Sequence, residues 1–245
     1  MDIFYTIIIV FAAFLIRSTF GFGDALVGMP LLVLVVSIQI AAPLMALLAL
    51  MMALMILIKN RRHVNFRLTW KLVLSAMAGI PLGLIYLRYI NESVISLVLA
   101  IFIIAFALSR IFQMKIKSKA PSVIYYLVGF ISGILGGAYN TNGPPVIMLL
   151  SAQNWPAQKF RSTLQSYFFF VGISVVAGHV AFGNITGEVV WYFLYSLPFI
   201  IIAFFVGEYW FGKIKSEKFY GWVYLLLLLI GVGLIVKIFC NYLGG

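Results

Sequence analysis

Apolar runs follow one another along the whole chain, at residues 3–20, 25–38, 44–58, 72–89, 94–112, 123–135, 144–152, 164–182, 189–209 and 220–239. Most approach the ~20 residues that a helix needs to cross a bilayer. The pattern predicts an all-α polytopic membrane protein of 8–10 segments, depending on whether the short runs at 24–38 and 144–153 cross fully. Glycine and proline punctuate it. Gly21-Phe22-Gly23-Asp24 separates the first two runs, Gly79-Ile80-Pro81-Leu82-Gly83 interrupts the fourth, and Gly136-Gly137-Ala138-Tyr139-Asn140-Thr141-Asn142-Gly143-Pro144-Pro145 separates the sixth from the seventh. The last stretch is unsuited to a regular helix, because interior glycines each cost about 1 kcal/mol and proline lacks a donor. Irregular polar backbone at membrane depth must be buried in protein or line a wet cavity. Pro144 is placed to open a new helix, with Asn142 or Gly143 as its N-cap.

Composition supports the membrane reading. Of 245 residues, 64% are hydrophobic and 9% charged, against about 25% charged in soluble proteins. No soluble domain fits between the runs, so residues 1–245 form a single membrane domain. Met1-Asp2-Ile3-Phe4 lacks the basic region of a secretory signal, and run 3–20 is expected to be a spanning segment of the mature protein. The net charge of +11 sits in short loops, where it sets orientation and meets anionic lipid rather than nucleic acid. With one cysteine and two distant histidines, His63 and His179, neither a metal cluster nor a cofactor is expected.

The two halves align. A shift of 115 pairs Gly21 with Gly136, Gly28 with Gly143, Pro30 with Pro145, Ile16 with Ile131, Leu34 with Leu149 and Ala42 with Ala157. A shift of 117 pairs Pro81 with Pro198. Residues 1–119 and 120–245 therefore read as two repeats. Basic residues gather at 59–71, 110–119, 159–161 and 213–218, and the positive-inside rule puts all four groups in the cytoplasm. That requires five crossings per half, which makes the repeats inverted and puts both termini outside. If neither short run crosses, the repeats become parallel.

Polar residues concentrate at the breaks. Helix N-termini near Asp24 and Pro144 would point unpaired N–H groups at an anion. Gly21, Gly23 and Gly143 would permit close approach, and Asn140, Thr141 and Asn142 would add donors. The alternative is that the glycines merely allow tight helix packing. Arg17, inside an apolar run, has three readings: contact with a substrate anion, pairing with Asp24, or snorkelling to an interface. Asp24 reads as the N-cap of segment two or as a carboxylate that takes a proton. Arg161 and Gln165, with Ser166, share a helical face and form either a cytoplasmic mouth or a basic loop end. His179 reads as a hydrogen bond between helices or a proton relay, and Glu188 and Glu208 as interfacial.

Gly21-Phe22-Gly23-Asp24…Gly28-Met29-Pro30 and Gly133-Ile134-Leu135-Gly136-Gly137-Ala138…Asn142-Gly143-Pro144-Pro145 resemble the duplicated signature of the TauE/SafE sulfite-exporter family. The first copy carries Phe22 where glycine is usual. The resemblance extends over essentially the full chain and implies a multi-pass transporter of sulfite, sulfonates or related anions in a cell membrane. Expected partners are the anion, membrane lipid and an H+ or Na+ coupling ion, and the oligomeric state stays open. The residue pattern favours a secondary transporter working by alternating access around a midplane site. A passive anion channel would need a continuous polar pore. A membrane-embedded enzyme would need a convergent nucleophile, acid–base pair or metal set, and the sequence displays none, so no enzymatic activity is expected.

Overall fold

Leu44, Leu48, Met52 and Ile56 recur every fourth residue and are fully buried, forming one stripe of a long helix. A computed structural model describes residues 2–32, 34–86, 92–112, 121–139 and 142–243. All regular structure among them is helical: α1 (Asp2–Phe20), α2 (Asp24–Leu32), α3 (Ile38–Asn60), a 3-10 turn (Arg61–His63), α4 (Phe66–Tyr86), α5 (Glu92–Ile111), α6 (Ser122–Tyr139), α7 (Gly143–Ser151), α8 (Ala157–Ala181), α9 (Gly187–Lys213) and α10 (Ser216–Leu243). Five of these are long and apolar enough to cross a membrane over Ile3–Phe20, Gln39–His63, Ala157–Ala181, Gly187–Lys213 and Lys218–Val236.

The expected boundaries shift in four places. Gly136 and Gly137 lie inside α6, which runs on to Tyr139, and α7 opens at Gly143. The Gly79–Gly83 region does not interrupt α4, which carries Pro81 within it. α3 likewise begins before Pro43 and runs through it. α8 starts at Ala157 rather than 164, so Lys159 and Arg161 are helical instead of forming a basic loop. For α3, α6 and α8 the helix extends beyond its apolar run, because backbone hydrogen bonding does not stop where hydropathy does.

The helices form two compact units, residues 1–69 with 158–215, and residues 70–157 with 216–245. In the first, α1 and α3 pack against α9, and α2 packs against α1 and α3. Val10 and Phe14 of α1 join the α3 stripe and Ile200, Ala203 and Phe204 of α9 in one apolar core. Ser18 Oγ donates to the Phe204 carbonyl at 2.9 Å. The start of α4 is tied to α8 by Asn65 N–H on Thr163 Oγ1 (3.1 Å) and by the buried Thr69–Ser166 hydroxyl pair (2.7 Å).

The last turns of α1, α3 and α9 and the first turns of α8 lie in one layer, joined by side chains of Arg17, Ser18, Lys59, Arg161 and Glu208. α1 and α3 therefore run in the same direction, and residues 21–37 must carry the chain back between them. α2 has nine residues and supplies about 13 Å of that return at 1.5 Å per residue. After it the Leu34, Val35 and Val36 N–H groups bond back to the Leu31 and Leu32 carbonyls in a compact turn before α3.

In the second unit α5 packs along α10, and α7 packs on α6. α6 crosses α4 at glycines. A Cβ at Gly129 or Gly133 would collide with the backbone of Leu72 or Ala76, and one at Gly79 with the backbone of Phe130. Close approach through small residues is how helices associate where lipid removes the hydrophobic driving force.

Candidate arginine layer

The site begins in the last turn of α1, where Arg17 and Ser18 are buried. Gly21 closes the helix, its N–H on the Arg17 carbonyl at 2.7 Å. Gly21 and Gly23 take φ of +90° and +105°, a region that side chains with a Cβ rarely occupy. A Cβ on Gly21 would lie 3.1 Å from Arg161 Cγ and 3.4 Å from Gln165 Nε2. The turn brings Asp24 back over Arg17, whose Nη1 donates to Asp24 Oδ2 at 2.5 Å. Asp24 is the first residue of α2 and not its N-cap. The Gly23 carbonyl takes the first helical bond, from Val27 at 3.1 Å, and the Asp24 carboxylate is held by the guanidinium.

α8 supplies the other wall. Arg161, Gln165 and Phe168 share a face at a spacing of four and then three residues. Arg17 Nη2 donates to Gln165 Oε1 at 3.2 Å, and Gln165 Nε2 donates to the Gly21 carbonyl at 2.6 Å. Arg161 Nη2 donates to the Ser18 carbonyl and to Glu208 Oε1. The other carboxylate oxygen of Glu208 meets Lys59 Nζ at 2.9 Å. Phe168 lies 5.0 Å from the Arg17 guanidinium and Phe211 lies 4.4 Å from that of Arg161, contacts that hold a cation by the ring quadrupole.

The layer thus combines three cations with two carboxylates, an excess of one positive charge. Arg161 is 1% exposed and Arg17 4%. Nε of both arginines and Nη1 of Arg161 have no hydrogen-bond partner among the described residues. A guanidinium carries five donors in a planar fork, and an unsatisfied buried donor costs about 1–3 kcal/mol. The arrangement therefore offers unused N–H groups and one uncompensated charge to an anion.

Of the residues singled out from sequence, Arg17, Gly21, Gly23, Asp24, Arg161 and Gln165 come together here. Arg161 is a buried ion-pair member and not part of a solvated loop. Glu208, read as interfacial, has a side chain only 6% exposed. It lies within an apolar run, and an acid there demands a cation. Lys59 as its second partner was beyond any local signal.

Asn142, Gly143 and Pro144 lie in the second unit, at the start of α7. Asn142 is the N-cap, though its side chain makes no capping bond, and prolines follow at the first turn. Its carbonyl accepts from Ser132 Oγ. Pro144 and Pro145 remove two of the N–H groups that a helix start would offer an anion. Asn140 and Thr141 lie outside the described residues. His179 stands near the far end of α8, 3.3 Å from the Asn184 amide in the adjoining turn. It neither bridges helices there nor reaches the arginine layer, about 27 Å away along α8 at 1.5 Å per residue.

A family model described as Sulfite exporter TauE/SafE matches residues 6–234, a span that contains every residue of this layer. Neither the curated proteins nor the solved structures include a match to the chain.

Proposed function

The chain belongs to the sulfite exporter TauE/SafE family, a family of multi-pass membrane transporters rather than enzymes, and we propose that it carries a small oxyanion, sulfite or a sulfonate, on Arg17 and Arg161 by alternating access. The observation that carries this reading is the pair of buried guanidiniums with unpartnered N–H groups, set in helices long and apolar enough to span a membrane. Arginine forks match the oxygens of a planar or pyramidal oxyanion in two-point contacts. The net positive layer supplies the charge that replaces the anion's water shell. The arginines lie within two turns of the basic helix ends, on the cytoplasmic side of the expected midplane. A cell membrane is the proposed location, and Asp24 is the proposed proton-coupling group if transport is proton-linked.

Two structural features support inverted repeats. α1 and α3 run the same way, as five crossings in the first half, with residues 21–37 as one of them, would require. The first helix of each half also packs on the fourth of the other, α1 on α9 and α6 on α4, as exchanged repeats would. Arg62, in an exposed turn, and Asn184, in an exposed loop, report the orientation. Cysteines at these positions should react with an impermeant maleimide from opposite faces, Arg62→Cys from the cytoplasm. Asn60 is unsuited because it is buried against Gln158. Labelling of both positions from one face would rule out the inverted arrangement.

Substrate contact is tested at Arg17. Arg17→Lys keeps the charge but loses the planar fork and the Gln165 contact. It should lower sulfite affinity by about one to two orders of magnitude, the 1.5–3 kcal/mol of a charged hydrogen bond, with little change in melting temperature. The readout is saturable sulfite uptake into proteoliposomes. Parent-like affinity in this variant would restrict Arg17 to pairing with Asp24.

A further inference from the structure

A carboxylate repels anions, so Glu208 has no evident place in a site that binds them, yet it occupies the better of the two arginines. Its two oxygens are divided. Oε1 sits on Arg161 Nη2 and Oε2 on Lys59 Nζ. These cations differ in setting, because Arg161 is 1% exposed and the Lys59 side chain 53%. Arg17 is already neutralised by Asp24, which accepts from its Nη1. Glu208 thus has one buried partner that an oxyanion would claim and one accessible partner that it would not.

Resting on the anion-transport reading, we propose that Glu208 is a built-in stand-in for the transported oxyanion. Its carboxylate neutralises Arg161 while the site is empty, and it withdraws onto Lys59 when substrate arrives. Each state leaves Arg161 paired. In the empty state the partner is Glu208, and in the loaded state it is the anion, with the Glu208–Lys59 pair intact. An uncompensated guanidinium in a low-dielectric interior is strongly unfavourable, and a carrier lacking the stand-in would be trapped facing whichever side last released substrate. Glu208 therefore lets the empty protein reorient, so that net flux occurs and not only exchange of one anion for another. Competition from Glu208 also lowers the apparent affinity by the fraction of time that Arg161 is occupied.

Reconstituted full-length protein and radiolabelled sulfite test this in two modes, net uptake into vesicles containing buffer and exchange into vesicles containing unlabelled sulfite. Glu208→Gln should raise the ratio of exchange to net uptake, and should lower the KM for sulfite about tenfold if Glu208 holds Arg161 about 90% of the time. Lys59→Gln removes the accessible alternative and should raise KM several-fold. A merely structural ion-pair network would move KM in the same direction in both variants, and that result, or an unchanged exchange-to-net ratio, overturns the proposal. Should Glu208→Gln fail to fold, Lys59→Gln decides: a raised KM with a lowered exchange-to-net ratio, as expected when Glu208 stays on Arg161, supports the stand-in, and an unchanged or raised ratio removes it. Absence of sulfite movement by the parent in both modes overturns the transport reading itself, and this inference with it.

Discussion

Arg161→Met is expected to abolish anion transport and to destabilise the protein by about 3–5 kcal/mol, the range for breaking a buried ion pair from one side. The loss arises because Glu208, with a side chain 6% exposed, keeps its charge with only the half-exposed Lys59 beside it. The double change Arg161→Met with Glu208→Met should restore most of that stability, because apolar replacement of a buried pair is often neutral or favourable. Transport should not return. Denaturation midpoints in detergent measure the first effect and sulfite uptake the second. The combination separates the two roles of Arg161, since an arginine needed only for folding would regain transport together with stability. A double variant as unstable as Arg161→Met would show that the Glu208 charge is not the source of the loss.

The second large effect is expected in the other unit, where α4 and α6 cross. Gly133→Leu should leave little folded protein, because the new Cβ would collide with the backbone of Ala76, lying 2.7 Å from its Cα. Gly129 and Gly79 approach the facing backbone as closely, so relief at Gly133 requires α4 and α6 to move apart along the crossing. The penalty should reach or exceed the ~1–3 kcal/mol typical of overpacking, since backbone must move and not only side chains. Gly212→Leu is the matched control, because nothing lies within 4 Å of a Cβ there. Yield of monodisperse protein and melting temperature read out both variants. Equal behaviour of the two would mean that α4 and α6 do not approach each other so closely in the membrane.

The fold class and nearly every helix were legible in the residues alone, because the requirement is local. A segment inside a bilayer must be apolar and must satisfy its own backbone, and both properties are written in consecutive residues. The turn at Gly21 and Gly23 was legible for the same reason, as was the oddity of Arg17 inside an apolar run. Helix ends were less legible. α8 starts seven residues before its apolar run and α6 continues through Gly136 and Gly137, since hydrogen bonding does not stop where hydropathy does. Which charges meet was set by the packing of distant helices. Arg161 and Glu208 are 47 residues apart, and Lys59 joins them from another helix. No periodicity encodes such pairings, because they depend on how α3, α8 and α9 pack. In a medium that penalises any unpaired charge, that packing joined Arg161, read from sequence as a cytoplasmic mouth or a basic loop end, and Glu208, read as interfacial, in one buried ion pair.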